Sequence, residues 1–186
     1  MSGGITVGEL LERAELGVAA VAGKRGLSRA VTVPRIQKPG LALTGWPEQL
    51  HANRVLVLGG TEIDYLADHE PARKVGIDTL LDSEPACVVV CRSLVPPPEL
   101  TAAAEARGVP LLTCSLVTAD FIAADTTWMT DKLAPSTELH GVLMDVLGIG
   151  VLMTGKSGIG KSETALDLVV RGHRLVGDDV MRISMW

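Results

Sequence analysis

Two short, continuous runs of apolar residues dominate the hydrophobic pattern, at residues 86–91 and 109–113. Residues 98–106 between them have the composition of a helix, with Gly108 as its stop signal. Strands that are apolar on both faces belong to sheets that are covered on both sides. The pattern therefore predicts a β-α-β unit within an α/β domain that has a mostly parallel sheet.

Weaker patterns extend this domain in both directions. Thr6 and Glu9 have the spacing of a capping box, which predicts a short helix that ends near Gly17. Two short strands and the start of another helix are predicted next, at residues 31–36, 54–58 and 62–66. A longer helix over residues 117–133 ends before Pro135, since proline breaks a helix.

The end of that helix is the predicted domain boundary, with one domain over residues 1–134 and another over residues 135–186. The second domain begins with the apolar residues 141–154, which predict either one strand or a hairpin that turns near Gly148. A glycine-rich segment, a helix and a short returning strand are predicted after them, at residues 155–162, 163–171 and 174–176. This order of strand, loop and helix is the context in which phosphate-binding loops occur.

The glycine-rich segment reads Gly-Lys-Ser-Gly-Ile-Gly-Lys-Ser and matches the P-loop pattern G-x-x-x-x-G-K-[ST]. Its glycines let backbone N–H groups converge on phosphate oxygens at the start of a helix, whose dipole favours anions. The predicted nucleotide-binding residues are Gly155, Lys156, Ser157, Gly158, Ile159, Gly160, Lys161 and Ser162. In this pattern Lys161 reaches the transferred phosphate and the Ser162 hydroxyl ligates Mg²⁺. The alternative interpretation is a glycine-rich turn before an ordinary helix.

Three further polar residues flank the predicted loop in sequence. Asp178 and Asp179 follow the returning strand, and one of the two carboxylates is a candidate general base for a hydroxyl nucleophile. Gly-Asp-Asp is also a common turn composition, so the spacing alone leaves both interpretations open. His140 precedes the strand that leads to the loop, where a hydrogen-bonded structural histidine is the alternative to a catalytic one.

Composition narrows the range of functions. The net charge is −5, and the 17 basic residues are scattered along the chain, which argues against a nucleic-acid partner. The three cysteines lack metal-ligand spacing and predict buried free thiols. Neither a signal peptide nor an apolar run long enough to span a bilayer is recognisable, so we expect a cytoplasmic protein without membrane contact.

The P-loop and the residues around it resemble bacterial HPr kinase/phosphorylase. The resemblance is carried by residues 155–166, by Arg-Gly-His-Arg-Leu-Val at 171–176, by the acid pair and by residues 35–45, 58–63 and 140–146. It implies an enzyme that phosphorylates a serine of the phosphocarrier HPr with ATP or pyrophosphate and Mg²⁺. The same enzyme would remove that phosphate by phosphorolysis, as a regulator of carbon metabolism.

The resemblance also implies roles for single residues. His140 and Lys161 would belong to the active site, and Asp179 would accept a proton in phosphorylation and donate it in the reverse reaction. The family assembles as a homohexamer through its kinase domains, and these are longer than residues 135–186. We therefore expect this chain to carry a truncated P-loop kinase domain, and a regulatory or oligomerising module without catalysis is the alternative function.

Overall fold

The computed structural model describes residues 4–46, 48, 50–68 and 70–185. The outer limits of the two predicted domains, at residues 1–3 and 186, lie outside this range. The chain divides into two compact units, Met1–Leu133 and Ala134–Trp186.

A five-stranded sheet forms the centre of the first unit. Its strands, in spatial order, are β2 (Ala19–Ala22), β7 (Leu111–Thr113), β6 (Cys87–Val90), β5 (Val55–Leu58) and β4 (Ile36–Gln37). Strands β4 to β7 pair in parallel, and only β2 pairs antiparallel, at the edge beside β7. The mostly parallel sheet predicted from the sequence is therefore confirmed.

Helices cover both faces of this sheet. They are α1 (Val7–Leu11), α2 (Gly60–Asp68), α3 (Glu70–Asp82), α4 (Pro98–Arg107) and α5 (Thr118–Leu133). Alternate residues of β5 and β6 point to opposite faces, so Val57 packs in the same core as Phe121 of α5, and Leu58 in the core that holds Leu100 of α4. This double burial explains why the central strands are apolar at every position.

Helix α1 begins as the capping box predicts. The Thr6 hydroxyl accepts a hydrogen bond from the Glu9 backbone N–H at 3.2 Å, and the Glu9 carboxylate accepts one from the Thr6 N–H at 2.8 Å. The helix ends at Leu11, earlier than predicted, and Gly17 instead ends a separate 3₁₀ turn in the left-handed conformation.

The single strand predicted over residues 31–36 is wrong. The segment holds two short strands, β3 (Ala30–Val31), which pairs with β1 (Ile5–Thr6), and β4, which pairs with β5. Pro34 lies between them, and proline cannot donate to a sheet ladder. Because of this interruption, residues 30–37 contribute one strand to each of two different sheets.

Helix α3 was not predicted, and its sequence explains why. Gly76 lowers the intrinsic helix propensity in its interior. The glycine is required by packing, because a Cβ atom at this position would lie 2.7 Å from the Leu43 carbonyl oxygen. Tertiary contact therefore decides the conformation of this segment.

The second unit is a three-stranded antiparallel sheet with one helix. Its elements are β8 (Ser136–Val146), β9 (Ile149–Thr154), α6 (Lys161–Val170) and β10 (Arg174–Ser184), and the strand order is β10-β8-β9. The hairpin interpretation of the apolar run is confirmed: β8 and β9 are joined at Leu147 and Gly148, both with positive φ, as a type I′ turn requires.

The predicted end of the returning strand near residue 176 is wrong. Strand β10 continues through Asp178 and Asp179 to Ser184, and it pairs with β8 instead of the strand that leads into the P-loop. Ala165 of α6 packs against Val142 and Met144 of β8, which holds the helix on the sheet. Among the helices of the described residues, none combines the length and the apolar composition that a membrane span requires.

Candidate functional site

The loop between β9 and α6 is shaped by three glycines. Gly155, Gly158 and Gly160 have φ angles of 153°, 78° and 95°, in a region that residues with side chains rarely adopt. Gly160 directly precedes the first residue of α6 and, being glycine, offers no side-chain cap. The loop therefore ends at the N-terminus of a ten-residue helix. Backbone N–H groups and the helix dipole favour an anion at such a position.

The Lys161 side chain folds back across this loop. Its ammonium group donates hydrogen bonds to the carbonyl oxygens of Gly155 at 2.9 Å and Lys156 at 3.0 Å. The Ile159 N–H also donates to the Lys156 carbonyl, at 3.3 Å, which closes the turn. A positive charge is thus held at the mouth of the loop, where a phosphate would need it.

A β-bulge brings the acid pair to the same place. The register between β10 and β8 shifts between Leu175 and Gly177, and beyond this bulge Asp178 pairs with Val142 and Asp179 with Gly141. Bulges re-aim side chains and are common beside active sites. Asp179 has φ of 89°, and its N–H donates to the Asp178 carboxylate at 3.0 Å.

His140 lies next to this acid pair. Its Nδ1 atom is 3.5 Å from Oδ1 of Asp179, and the two side chains are 78% and 85% exposed. An exposed pair of this kind contributes little to stability, because water screens the charges. The fold therefore depends little on this contact, so both side chains can take part in a reaction without loss of stability.

These residues line one cleft of about 530 Å³. Its walls are formed by His140, Gly141, Gly155, Ser157, Lys161, Ser162, Asp178 and Asp179. The other predicted loop residues, Lys156, Gly158, Ile159 and Gly160, shape the loop without lining the cleft, and the Ile159 side chain is 68% exposed. Sequence reasoning missed Gly141, because a glycine inside an apolar run signals only a bulge or a close backbone approach.

The donor atoms in the cleft fit Mg²⁺ only together with a phosphate. Nowhere in the described part of the chain do three or more His, Cys, Asp or Glu side chains gather so that they could hold a metal ion. Magnesium is usually bound through one or two carboxylates and the oxygens of substrate phosphates. The Ser162 hydroxyl and the Asp178 carboxylate supply hard oxygen ligands of the required kind.

One carboxyl group with a strongly raised pKa lies in the first unit, outside this cleft. Asp125 of α5 is completely buried; burial raises its pKa to about 6, and the neighbouring Arg13 guanidinium partly opposes the shift. Arg13 donates to Oδ1 of Asp125 at 3.0 Å and stacks over the Trp128 ring at 4.7 Å. Among the residues that the structure describes, Oδ2 of Asp125 finds no hydrogen-bond partner. This cluster ties the N-terminal segment to α5.

The three cysteines are free and buried, as predicted. Burial raises the pKa of the Cys91 thiol to about 12 and also raises that of Cys87. Since the thiolate is the reactive form, these cysteines belong to the core and not to a reactive site.

Comparison with known families supplies the context for this geometry. Residues 5–129 match the family described as "HPr Serine kinase N terminus", and residues 131–186 match "HPr Serine kinase C-terminal domain". Together the two matches cover nearly all of the chain.

Curated relatives give the same result. Over 183 residues, the chain is 48% identical to the HPr kinase/phosphorylase of Geobacter sulfurreducens. The matched region covers 97% of this chain and 57% of that protein. It is 41% identical over 180 residues to the protein of the same name from Halalkalibacterium halodurans, and 40% identical over 164 residues to that of Bacillus subtilis. These matches cover 96% and 88% of this chain, and 57% and 53% of the relatives. The chain thus spans little more than half the length of these relatives.

Proposed function

Since the chain belongs to the HPr kinase/phosphorylase family, we propose that residues 135–186 bind the phosphates of a donor and transfer one phosphoryl group to a serine of HPr. The observation that carries this proposal is the shared cleft, in which Lys161 and Ser162 of the loop face Asp178 and Asp179 of β10. Phosphoryl transfer needs a phosphate clamp and a base on the nucleophile at one location. Residues 1–134 form a separate α/β domain in this proposal.

The loop and four side chains of the cleft have separate roles in this proposal. The loop N–H groups and Lys161 hold the phosphates, and the Ser162 hydroxyl would hold Mg²⁺, which would supply positive charge beside the phosphate oxygens. Asp179 accepts the proton of the serine hydroxyl and returns it in phosphorolysis. His140, 3.5 Å from the Asp179 carboxylate, orients that group.

The proposed donor is ATP or pyrophosphate. The predicted binding residues, Gly155 to Ser162, act on phosphate groups, which both donors carry. We also propose a cytoplasmic setting and a homohexamer formed through the kinase domain; support for self-association comes from the exposed apolar side chains of Leu166, Val170 and Leu175.

A second candidate is a regulatory or oligomerising binding module without catalysis. The exposure of His140 and Asp179, at 78% and 85%, favours it, because phosphoryl transfer profits from a site that excludes water.

Binding and transfer separate the two candidates. We expect pyrophosphate with Mg²⁺ to raise the unfolding temperature of the chain, and Lys161→Ala to abolish this shift. Incubation with ATP, Mg²⁺ and HPr should then yield phosphoserine on HPr. A shift without phosphoserine would leave the binding module. No shift at all would contradict the proposed phosphate site and leave only the N-terminal α/β domain as functional.

A further inference from the structure

Gly141 lies between the two halves of the candidate site. In the central strand β8 it pairs on one side with Thr154, the residue before the P-loop, and on the other side with Asp179. It is buried and lines the cleft. The backbone at Gly141 therefore lies between the P-loop and Asp179 and contributes to the distance between them.

Strand β9 passes Gly141 too closely for a side chain. A Cβ atom at this position would lie 2.5 Å from the carbonyl oxygen of Met153 and 3.1 Å from Cδ1 of Leu152. Ordinary van der Waals contact begins at 3.4 Å. A methyl group 2.5 Å from the Met153 oxygen would therefore displace β9 by about 0.9 Å, the difference between 3.4 Å and 2.5 Å. The Met153 oxygen belongs to the backbone and cannot rotate away, so the strand itself would have to move.

The opposite neighbour of Gly141 is also held in an unusual conformation. Asp179 has a left-handed φ of 89°, a conformation that residues with side chains rarely adopt. Such conformations persist where the surrounding structure enforces them, and they cluster at functional sites. Gly141 is thus flanked by a closely packed strand on one side and by a residue with left-handed φ on the other.

We propose that Gly141 is a positioning residue that sets the distance between the P-loop and the Asp179 carboxylate. The inference rests on the proposed function, because it concerns the geometry of phosphoryl transfer. A displacement of about 1 Å between reacting groups lowers a rate by about 10²-fold, whereas a P-loop that moves as a unit keeps its own phosphate contacts. Gly141 therefore acts on turnover more than on donor binding.

The test compares Gly141→Ala with Gly150→Ala. Gly150 lies in β9 of the same hairpin and pairs with Asp145, and no described atom lies within 4 Å of the position that its Cβ would take, so an alanine fits there without displacement. Phosphorylation of HPr by the whole chain is measured over a range of ATP concentrations. We expect Gly141→Ala to lower kcat by about 10²-fold with KM for ATP within about threefold. Gly150→Ala should leave both constants within about twofold of the unchanged chain.

Each outcome separates the inference from the proposed function. No phosphorylation by the unchanged chain overturns the proposed function and the inference with it. A normal kcat in Gly141→Ala overturns the inference alone. If Gly141→Ala does not fold by circular dichroism, Gly141→Ala with Leu152→Ala, which removes the apolar part of the clash, is measured instead. Failure of both variants to fold would make Gly141 a folding residue and overturn the positioning role.

Discussion

The buried Asp125 carboxyl gives the first unit an unusual pH dependence. Its pKa is raised from an ordinary 3.8 to about 6, because burial disfavours the charged form more than Arg13 favours it. A difference of 2.2 between these values corresponds to about 3 kcal/mol between the protonation states. The sign follows from linkage: protonated Asp125 stabilises the fold fully below pH 3.8, and this contribution is lost as the pH rises through 6.

Replacing Asp125 with asparagine removes this titration. From pH 7.5 to pH 4.5 we expect the unchanged chain to gain about 2 kcal/mol of unfolding free energy from this group, and Asp125→Asn to gain nothing from it. Urea unfolding, followed by circular dichroism and by the fluorescence of Trp128 beside Arg13, measures the free energy at each pH.

The comparison needs a matched control, since other groups titrate in the same range. Asp131→Asn changes an exposed aspartate on the same helix and should keep the pH dependence of the unchanged chain. The unfolding free energies of Asp125→Asn and of the unchanged chain could instead change in parallel between pH 7.5 and 4.5. The pKa of Asp125 would then not be raised by burial, and the reasoning would be refuted.

Three further outcomes are expected. Lys161→Ala should weaken pyrophosphate binding by about 10²-fold in calorimetry, because it removes a charge-assisted contact; an unchanged affinity would exclude the loop as the binding site. Asp179→Asn should lower kcat for HPr by at least about 10²-fold at a similar KM for ATP, and a normal kcat would exclude it as the base. Thr6→Ala should lower the unfolding free energy by about 1 kcal/mol, and no change in urea titration would contradict the observed cap.

The elements that were predicted correctly have strong local signals. Residues 86–91 are apolar throughout because β6 is buried on both faces, and the capping box at Thr6 needs only neighbours in sequence. The hairpin at Gly148 follows from a turn that demands positive φ. In each case the physical cause lies within a few residues of the pattern.

The elements that were missed depend on distant contacts or lack a pattern. Strand β10 is exposed or half-buried along its whole length, so neither its extension to Ser184 nor its pairing with β8 leaves a hydrophobic alternation in the sequence. Arg13 and Asp125 are 112 positions apart, and no local signal joins them. The need for glycine at position 141 comes from the backbone of Met153 on the neighbouring strand, which leaves no room for a side chain.

Transfer of phosphate to a serine of HPr, in the proposed cleft formed by the P-loop and the acid pair, can be measured by intact-protein mass spectrometry of HPr after incubation with this chain, ATP and Mg²⁺. We expect the added mass of one phosphoryl group on a serine, reversed by inorganic phosphate, and no addition with Lys161→Ala. An unchanged mass of HPr with the unaltered, folded chain would contradict the proposed function.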